Sequence, residues 1–290
     1  MSIWIDQTSR VIVQGITGHA GLLHSAQCMA YGTHIVGGVT PGKGGTVVHG
    51  DIPVFNTVAE ACDAVHPDVS FITVPATHAT DAVLEAIDAE IPLVVCITEG
   101  IPVHDTLRMY RALANGKTRL IGPNGPGLIA PGKCKVGIIP NDICKEGSVG
   151  IVSRSGTLLF EAIRQLTTLG YGQSTCVGIG GDPVVGTSYV NVLKAFNEDP
   201  QTKVIVLIGE IGGNAEERAT EFIRQHVQKP VVGFIAGRRT PEGKRMGHAG
   251  AIISGNSGTA RAKIASLQAT GVEIAENITD IGNVVAKILE

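Results

Sequence analysis

The chain has 290 residues, a formal net charge of −3, and 43% hydrophobic, 17% charged and 4% aromatic residues. That length buries one large core or two smaller ones and favours two domains. The weak charge and the lack of any Lys/Arg run exclude the electrostatic footprint of a nucleic-acid partner.

The opening Met1-Ser2-Ile3-Trp4-Ile5-Asp6 has no charged region followed by an apolar run, and no later apolar stretch reaches bilayer length. No membrane partner is expected, and the chain is read as cytosolic or as the mature core of an organelle protein. Six cysteines form no Cys-x-x-Cys pair and are expected to be reduced and structural. Nine histidines show no paired metal spacing, so no metal site is expected.

In chain order the sequence repeats one theme: a short β-branched run, a Gly-rich turn, then a helical stretch, the pattern of βα units and parallel sheets. Strands are predicted in the first half near 10–14, 34–39, 69–74, 93–98 and 119–122, with helices near 21–31, 58–65, 80–89 and 103–113. The stretch from Gly122-Pro123-Asn124-Gly125-Pro126-Gly127 to Pro131-Gly132 is too rich in proline and glycine for regular structure. A domain boundary is therefore placed just beyond it, dividing the chain into 1–130 and 131–290. The second half restarts the rhythm, with strands near 149–152, 174–178, 204–208, 231–234 and 251–253. The expected fold class is α/β, two βα domains in series.

The first βα turn reads Gln14-Gly15-Ile16-Thr17-Gly18-His19-Ala20-Gly21, close to the Gly-x-Gly-x-x-Gly fingerprint but with Thr17 between the first two glycines. Gly15 and Gly18 let the backbone approach a diphosphate at the helix N-terminus, although glycines here also suit any tight strand-to-helix turn. From Gly15 to Gly50 there is no Asp or Glu. A nicotinamide-binding domain puts an acid at the end of its second strand for the ribose diol, so the gap argues against NAD and a dehydrogenase. In its place stands Thr40-Pro41-Gly42-Lys43-Gly44-Gly45, where glycines open the backbone and Lys43 can pair with a phosphate. A diphosphate ligand without that ribose contact points to coenzyme A.

Three strand ends of the second half have the same character: Val152-Ser153-Arg154-Ser155-Gly156-Thr157, Gly178-Ile179-Gly180-Gly181-Asp182-Pro183, and Gly209-Glu210-Ile211-Gly212-Gly213. The first places hydroxyls and free backbone N–H groups around an anion at a helix start; the third leaves one carboxylate, Glu210, among glycines. In a parallel sheet these ends share one edge, where ligands bind. A fourth loop, Gly243-Lys244-Arg245-Met246-Gly247-His248-Ala249-Gly250, brings one histidine to that edge. An imidazole, a carboxylate able to hold its far nitrogen and a helix N-terminus are what a phosphohistidine needs. The plainer alternative is that Glu210 caps the helix starting near Asn214, that Ser153 and Ser155 are ordinary N-caps, and that His248 is a surface-loop residue.

With these motifs, and with Ile97-Thr98-Glu99-Gly100-Ile101-Pro102, the chain resembles the alpha subunits of the succinyl-CoA synthetase family, ADP- or GDP-forming succinate–CoA ligases, nearly end to end. The resemblance implies a Rossmann-like CoA-binding domain over 1–130 and a flavodoxin-like ligase domain over 131–290 that carries the phosphohistidine. It assigns CoA contact to Thr17, Gly18, His19, Ala20, Lys43, Ile97, Thr98 and Glu99. His248 matches the phosphorylated histidine and Glu210 its carboxylate partner, with Ser153, Ser155, Gly156 and Phe160 on the phosphate and substrate side. It further implies ATP or GTP with Mg2+ on a beta subunit with an ATP-grasp domain, and a heterodimer or heterotetramer. The location would be cytoplasmic in a bacterial-type enzyme and the mitochondrial matrix in a eukaryotic one.

The chain departs from the family pattern in three places. Phe160 stands where members usually carry Tyr, Pro123-Asn124-Gly125 where bacterial relatives tend to read Pro-Asn-Cys, and His19-Ala20 replaces a more polar pair. These leave open a ligase for another short dicarboxylate, such as malate or itaconate, and a non-catalytic CoA-binding module.

Overall fold

The computed structural model describes residues 2–114, 116–241, 243–253 and 258–290. Its first half runs β1 (Arg10–Gln14), α1 (His19–Ala30), β2 (His34–Val39), β3 (Val47–Val48), β4 (Ile52–Phe55), α2 (Val58–Val65), β5 (Val69–Ile72), α3 (Ala76–Asp88), β6 (Leu93–Cys96), α4 (Val103–Leu113) and β7 (Arg119–Ile121). β5 and β6 are buried along their whole length, as expected of strands covered on both faces by helices. The sheet order is β3-β4-β2-β1-β5-β6-β7. Every pairing is parallel except that of the short β3 with β4. Without β3 the strands follow the Rossmann order, and the winding reverses between β1 and β5, where such a sheet opens a crevice.

The second half runs β8 (Gly127–Ala130), β9 (Cys134–Gly137), β10 (Glu146–Ser153), α5 (Gly156–Thr168), β11 (Gln173–Gly178), α6 (Tyr189–Glu198), β12 (Val204–Glu210), α7 (Ala215–His226), β13 (Val231–Ala236), α8 (Ala260–Gln268), β14 (Glu273–Ile274) and α9 (Ile281–Leu289). Its sheet is ordered β14-β13-β12-β10-β11-β8-β9. The five strands from β10 to β14 are parallel in the flavodoxin-like order, reversing between β10 and β12. β8 and β9 form an antiparallel hairpin on the edge of β11.

That hairpin corrects the expectation that 122–132 lacks regular structure. Leu128, Ile129 and Ala130 form a short apolar run that is fully buried, and the flanking glycines serve close approach rather than irregularity. A Cβ on Gly127 would lie 2.1 Å from Val136 O. The second sheet thus begins ahead of the boundary drawn after residue 130. The strand expected at 251–253 is also absent: Ile252 makes only an isolated antiparallel bridge to Arg245. The backbone there closes the histidine loop on itself, with Met246 N–H donating to Ala251 O at 2.9 Å and Ala251 N–H to His248 O at 3.1 Å.

The two halves are joined by apolar burial and by hydrogen bonds. One buried cluster runs from Val11, Val13 and Phe71 of the first sheet to Leu128, Val177 and Leu207 of the second. Thr33 Oγ1 donates to Lys135 O at 2.6 Å, and Asn124 N–H donates to Thr98 O at 2.9 Å. Among the described residues no helix is long and apolar enough to cross a membrane, and all six cysteines are free thiols.

α1 enters against β1 so closely that a Cβ on Gly21 would sit 2.1 Å from Gly15 O. Gly21→Ala is therefore expected to overpack this turn and to lower the unfolding free energy by about 1–3 kcal/mol, read from the urea midpoint.

Candidate active site

The carboxyl ends of β10, β11 and β12 converge at the reversal of the second sheet. Glu210 is the last residue of β12, and its Oε2 lies 2.7 Å from Nδ1 of His248. A carboxylate has no proton to give, so Nδ1–H is the donor, and in the neutral ring Nε2 is the nitrogen that keeps its lone pair. The ring lies over Gly181, where an added Cβ would come within 2.4 Å of Cδ2 and 2.6 Å of Nε2. Glycine at 181 is thus what admits the imidazole. α7 begins at Ala215 behind Asn214, and Glu210 is committed to the histidine rather than to capping that helix.

Arg154, directly after β10, binds this pair from the side. Its Nε is 3.3 Å from Glu210 Oε1, a charge contact without hydrogen-bond alignment, and neither atom has a hydrogen-bond partner among the described residues. Its Nη2 donates to Asp182 O at 2.5 Å. Asp182 is buried and accepts from Asn124 Nδ2 at 2.8 Å. Burial pushes its carboxyl above the usual range, against the opposing pull of Asn124, His248 and Arg154. The His248 imidazolium is held above its ordinary value, first by the Glu210 hydrogen bond, with burial opposing.

A cleft of about 330 Å³ opens in front of the ring, walled by Ser155, Thr157, Leu158, Glu210, Gly237, Met246 and His248 among others. Ser155 is the N-cap of α5, its hydroxyl accepting from Leu158 N–H at 3.4 Å, and the first turn of α5 carries no acid. A helix N-terminus of this kind favours an anion by about 0.3–1 kcal/mol. Ser153 and Phe160 do not join the wall. Ser153 is buried, its hydroxyl accepting from Ser155 N–H at 3.0 Å and donating to Ser155 O at 2.7 Å. Phe160 packs against the core cluster that contains Leu159 and Ile163. Gly156 opens α5 with Pro126 at van der Waals distance from the Cβ it lacks.

At the reversal of the first sheet lies a cavity of about 670 Å³, lined by Gly15, Thr17, Gly18, His19, Ala20, Thr40, Pro41, Thr73, Val74, His78 and Glu85 among others. Gly15 adopts φ +82, Gly18 is the N-cap of α1, and no side chain caps that helix or adds an acid to its first turn. Its free N–H groups fit a diphosphate. Lys43 lies off this wall on an exposed loop, which Asn56 Oδ1 organises by accepting from Gly42 N–H and Gly44 N–H, each at 3.0 Å. Ile97, Thr98 and exposed Glu99 follow β6 beyond the wall, with Thr98 Oγ1 donating to Val74 O at 2.7 Å.

Sequence reading missed Arg154, Gly181 and Asp182 as members of the histidine site, though each stands inside a motif it quoted. Only the fold shows that their strand ends meet. At Gly125 a Cβ would lie 2.7 Å from Gly178 O, so the backbone here leaves no room for the side chain that the Pro-Asn-Cys pattern places there.

A cavity of about 670 Å³ at a helix N-terminus on one sheet and an oriented histidine on the other fit a two-site CoA enzyme, and the comparisons agree. The chain matches the CoA binding domain family over residues 6–100 and the CoA-ligase family over residues 152–273. It is 58% identical over 283 residues to the succinate–CoA ligase (ADP-forming) subunit alpha of Staphylococcus aureus strain Mu50, covering 98% of this chain and 93% of that one. To the subunit of the same name from Staphylococcus epidermidis it is 57% identical over 282 residues, covering 97% and 93%. Among solved structures it is similar to ATP citrate lyase from Methanothrix soehngenii in complex with citrate and coenzyme A, with TM-score 0.90 and 25% identity over 99% of this chain. It spans 50% of that longer chain. The chain belongs to the succinate–CoA ligase alpha-subunit family.

Because the Glu210 hydrogen bond raises His248, that contact adds stability that is fully present below the ordinary imidazole value and is lost as pH rises through the raised one. Glu210→Gln is expected to lower the His248 titration midpoint, because burial and Arg154 then act without the carboxylate that opposes them, followed by the imidazole C2–H resonance. An unmoved midpoint would contradict the assignment.

Proposed function

We propose that this chain, with a beta subunit, interconverts succinate, CoA and ATP with succinyl-CoA, ADP and phosphate. The observation that carries the reading is the Nδ1 contact of His248 to Glu210, which leaves Nε2 as the free nucleophile beside the N-terminus of α5. Succinate and the adenine nucleotide are adopted from the staphylococcal relatives, which are ADP-forming succinate–CoA ligase subunits. The nucleotide, with Mg2+, is assigned to the ATP-grasp domain of the beta subunit, and the assembly to the cytoplasm.

In this reading Nε2 attacks the γ-phosphorus, forming the P–N bond as the P–O bond to ADP breaks. A succinate carboxylate oxygen then attacks phosphorus, and the P–N bond breaks to release His248 and form succinyl phosphate. The CoA sulfur, as thiolate, attacks the acyl carbon, and phosphate leaves. Splitting one difficult displacement into successive easier ones is what the covalent intermediate achieves. Glu210 keeps the proton on Nδ1 throughout the first step. Arg154 stays on Glu210, and the α5 N-terminus with Ser155 faces the phosphoryl oxygens. CoA is assigned to the first-sheet cavity, its diphosphate at Thr17 to Ala20, with Lys43 and the Ile97 to Glu99 segment reaching it from the flanking loops. The division of labour follows the two sheets, one for CoA and one for the phosphohistidine.

The test is acid-labile phosphate on the complex co-expressed with the beta subunit. Wild type is expected to take label from ATP and to lose it to succinate plus CoA. His248→Asn should take none while keeping wild-type affinity for CoA, since the two cavities lie on different sheets. Labelling should also weaken as pH falls through the raised His248 value, because a proton on Nε2 removes the nucleophile.

A second acceptor, another short dicarboxylate, is favoured only by Phe160, and this partly buried ring, packed against a core cluster, speaks for a filler rather than a substrate contact. Phe160→Tyr is accordingly expected to leave kcat/KM for succinate unchanged; a clear rise would place this position in the acid site.

A further inference from the structure

Behind Glu210 lies a buried ionic network that the chemistry above does not use. The Glu210 main-chain N–H donates to Oε1 of Glu216 at 3.1 Å. Glu216 stands in the first turn of α7 and is 1% exposed, and its Oε2 accepts from Nζ of Lys263 on α8, which is 0% exposed. Lys263 also donates to Glu217 Oε2 at 3.0 Å and to Gly213 O at 3.3 Å. Tyr189, buried on α6, donates its hydroxyl to Ile208 O at 2.7 Å, with Glu216 Oε1 only 3.4 Å away. The carboxylate of Glu216 thus rests against the backbone of β12, where a Cβ on Gly209 would fall 2.7 Å from its Oε1.

A buried ion pair is a poor source of stability, since desolvation offsets the attraction and apolar residues of similar volume often do as well. What this network does have is direction. Glu216 grips the peptide that carries the Glu210 side chain, and Lys263 grips the turn that follows it. That turn also abuts the histidine loop, with the Gly212 Cβ position only 2.1 Å from Gly250 O, and it is tied to the entry of α8 by Gly212 N–H donating to Gly258 O at 2.8 Å. Rotation of the 211–214 turn would move Glu210 and the His248 loop against each other.

We propose that Lys263, acting through Glu216 and Gly213, is a positioning residue for phosphoryl transfer: it fixes the backbone of Glu210 so that Oε2 meets Nδ1 of His248. The proposal rests on the phosphohistidine reading for its kinetic consequence, and on geometry alone for the Glu210–His248 contact. Outer partners that orient the histidine and carboxylate ligands of metal sites are worth about 10–100-fold in activity, and the same scale is taken for this orienting contact.

The experiment compares wild type, Lys263→Met and the double variant Lys263→Met/Glu216→Gln in the complex with the beta subunit. The double variant removes both charges, avoids an unpaired buried carboxylate, and keeps an amide oxygen to accept from Glu210 N–H. It carries the test if the single variant does not fold. Three quantities are measured: the rate of His248 phosphorylation by ATP, the dissociation constant for CoA, and the His248 titration midpoint. The groups facing that imidazole are Glu210, Arg154 and Asp182.

Phosphorylation is expected to slow about 10–100-fold in Lys263→Met and less in the double variant, with CoA binding unchanged and the His248 midpoint lowered in both. A folded variant with wild-type phosphorylation and an unmoved midpoint overturns the proposal. Loss of CoA binding in parallel with phosphorylation also overturns it, because that is general loosening. If wild type takes no phosphate yet the variants still lower the midpoint, the functional reading fails and the positioning role stands.

Discussion

One hydrogen bond, from Nδ1 of His248 to Oε2 of Glu210 at 2.7 Å, fixes the tautomer of the ring, its orientation and which nitrogen is free. Much of the second sheet serves its acceptor. Glu210 ends the buried strand β12, which pairs in register with β10 on one side and β13 on the other. Its side chain is steadied by Arg154 and its backbone by Glu216. A loop histidine would otherwise sample many orientations. Here a loop takes its geometry from a strand, and Gly181 provides the space in which the ring lies.

The same logic explains why the chain has two sheets of different winding. Each has one reversal, and each reversal opens a crevice at the carboxyl ends of its strands. One crevice suits a long ligand bearing a diphosphate and the other a small cleft with a nucleophile. Chemistry that passes between them needs the two crevices held in fixed relation. Asn124 contributes directly, donating from its backbone to Thr98 O beside the first cavity and from Nδ2 to Asp182 at the second. It adopts φ 55, the left-handed region that Asn tolerates better than most residues. The Pro-Gly segment around it is a structural joint.

The alternation of β-branched runs with helical stretches made the α/β class and most parallel strands legible, because strands buried on both faces must be apolar throughout. β1 and β2 fall where the pattern placed them. The hairpin β8–β9 was illegible for a physical reason: its glycines permit close cross-strand approach, yet in sequence they read as loop punctuation. The histidine and its carboxylate were legible as types and positions, since a lone acid among glycines at a strand end has few structural duties. Arg154 and Asp182 were not, because their roles come from strand ends that only the β11-β10-β12 order brings together. Ser153 shows the reverse error. Its motif suggested an anion ligand, but both capacities of its hydroxyl are spent on Ser155.

The charge balance of the histidine cleft fits the proposed reaction only if a partner subunit completes the site. A phosphoryl group on Nε2 would bring close to two negative charges to a place already holding Glu210 and Asp182. Arg154 is committed, with Nη2 on Asp182 O and Nε against Glu210 Oε1, so moving it to the phosphate would leave Glu210 uncompensated. What the described wall of the cleft offers the phosphoryl oxygens is the N-terminus of α5 and the hydroxyls of Ser155 and Thr157, which are dipoles rather than full charges. Dipoles suffice to orient a phosphate but only partly neutralise it. Two apolar side chains stand open here, Met246 on the wall of the cleft at 51% exposure and Ile252, next to its Ala251, at 37%. A partner that covers them and brings its own donors would both exclude water and complete the neutralisation. In the reading proposed above, this chain supplies orientation, and the remaining stabilisation of the transferred group falls to the partner subunit.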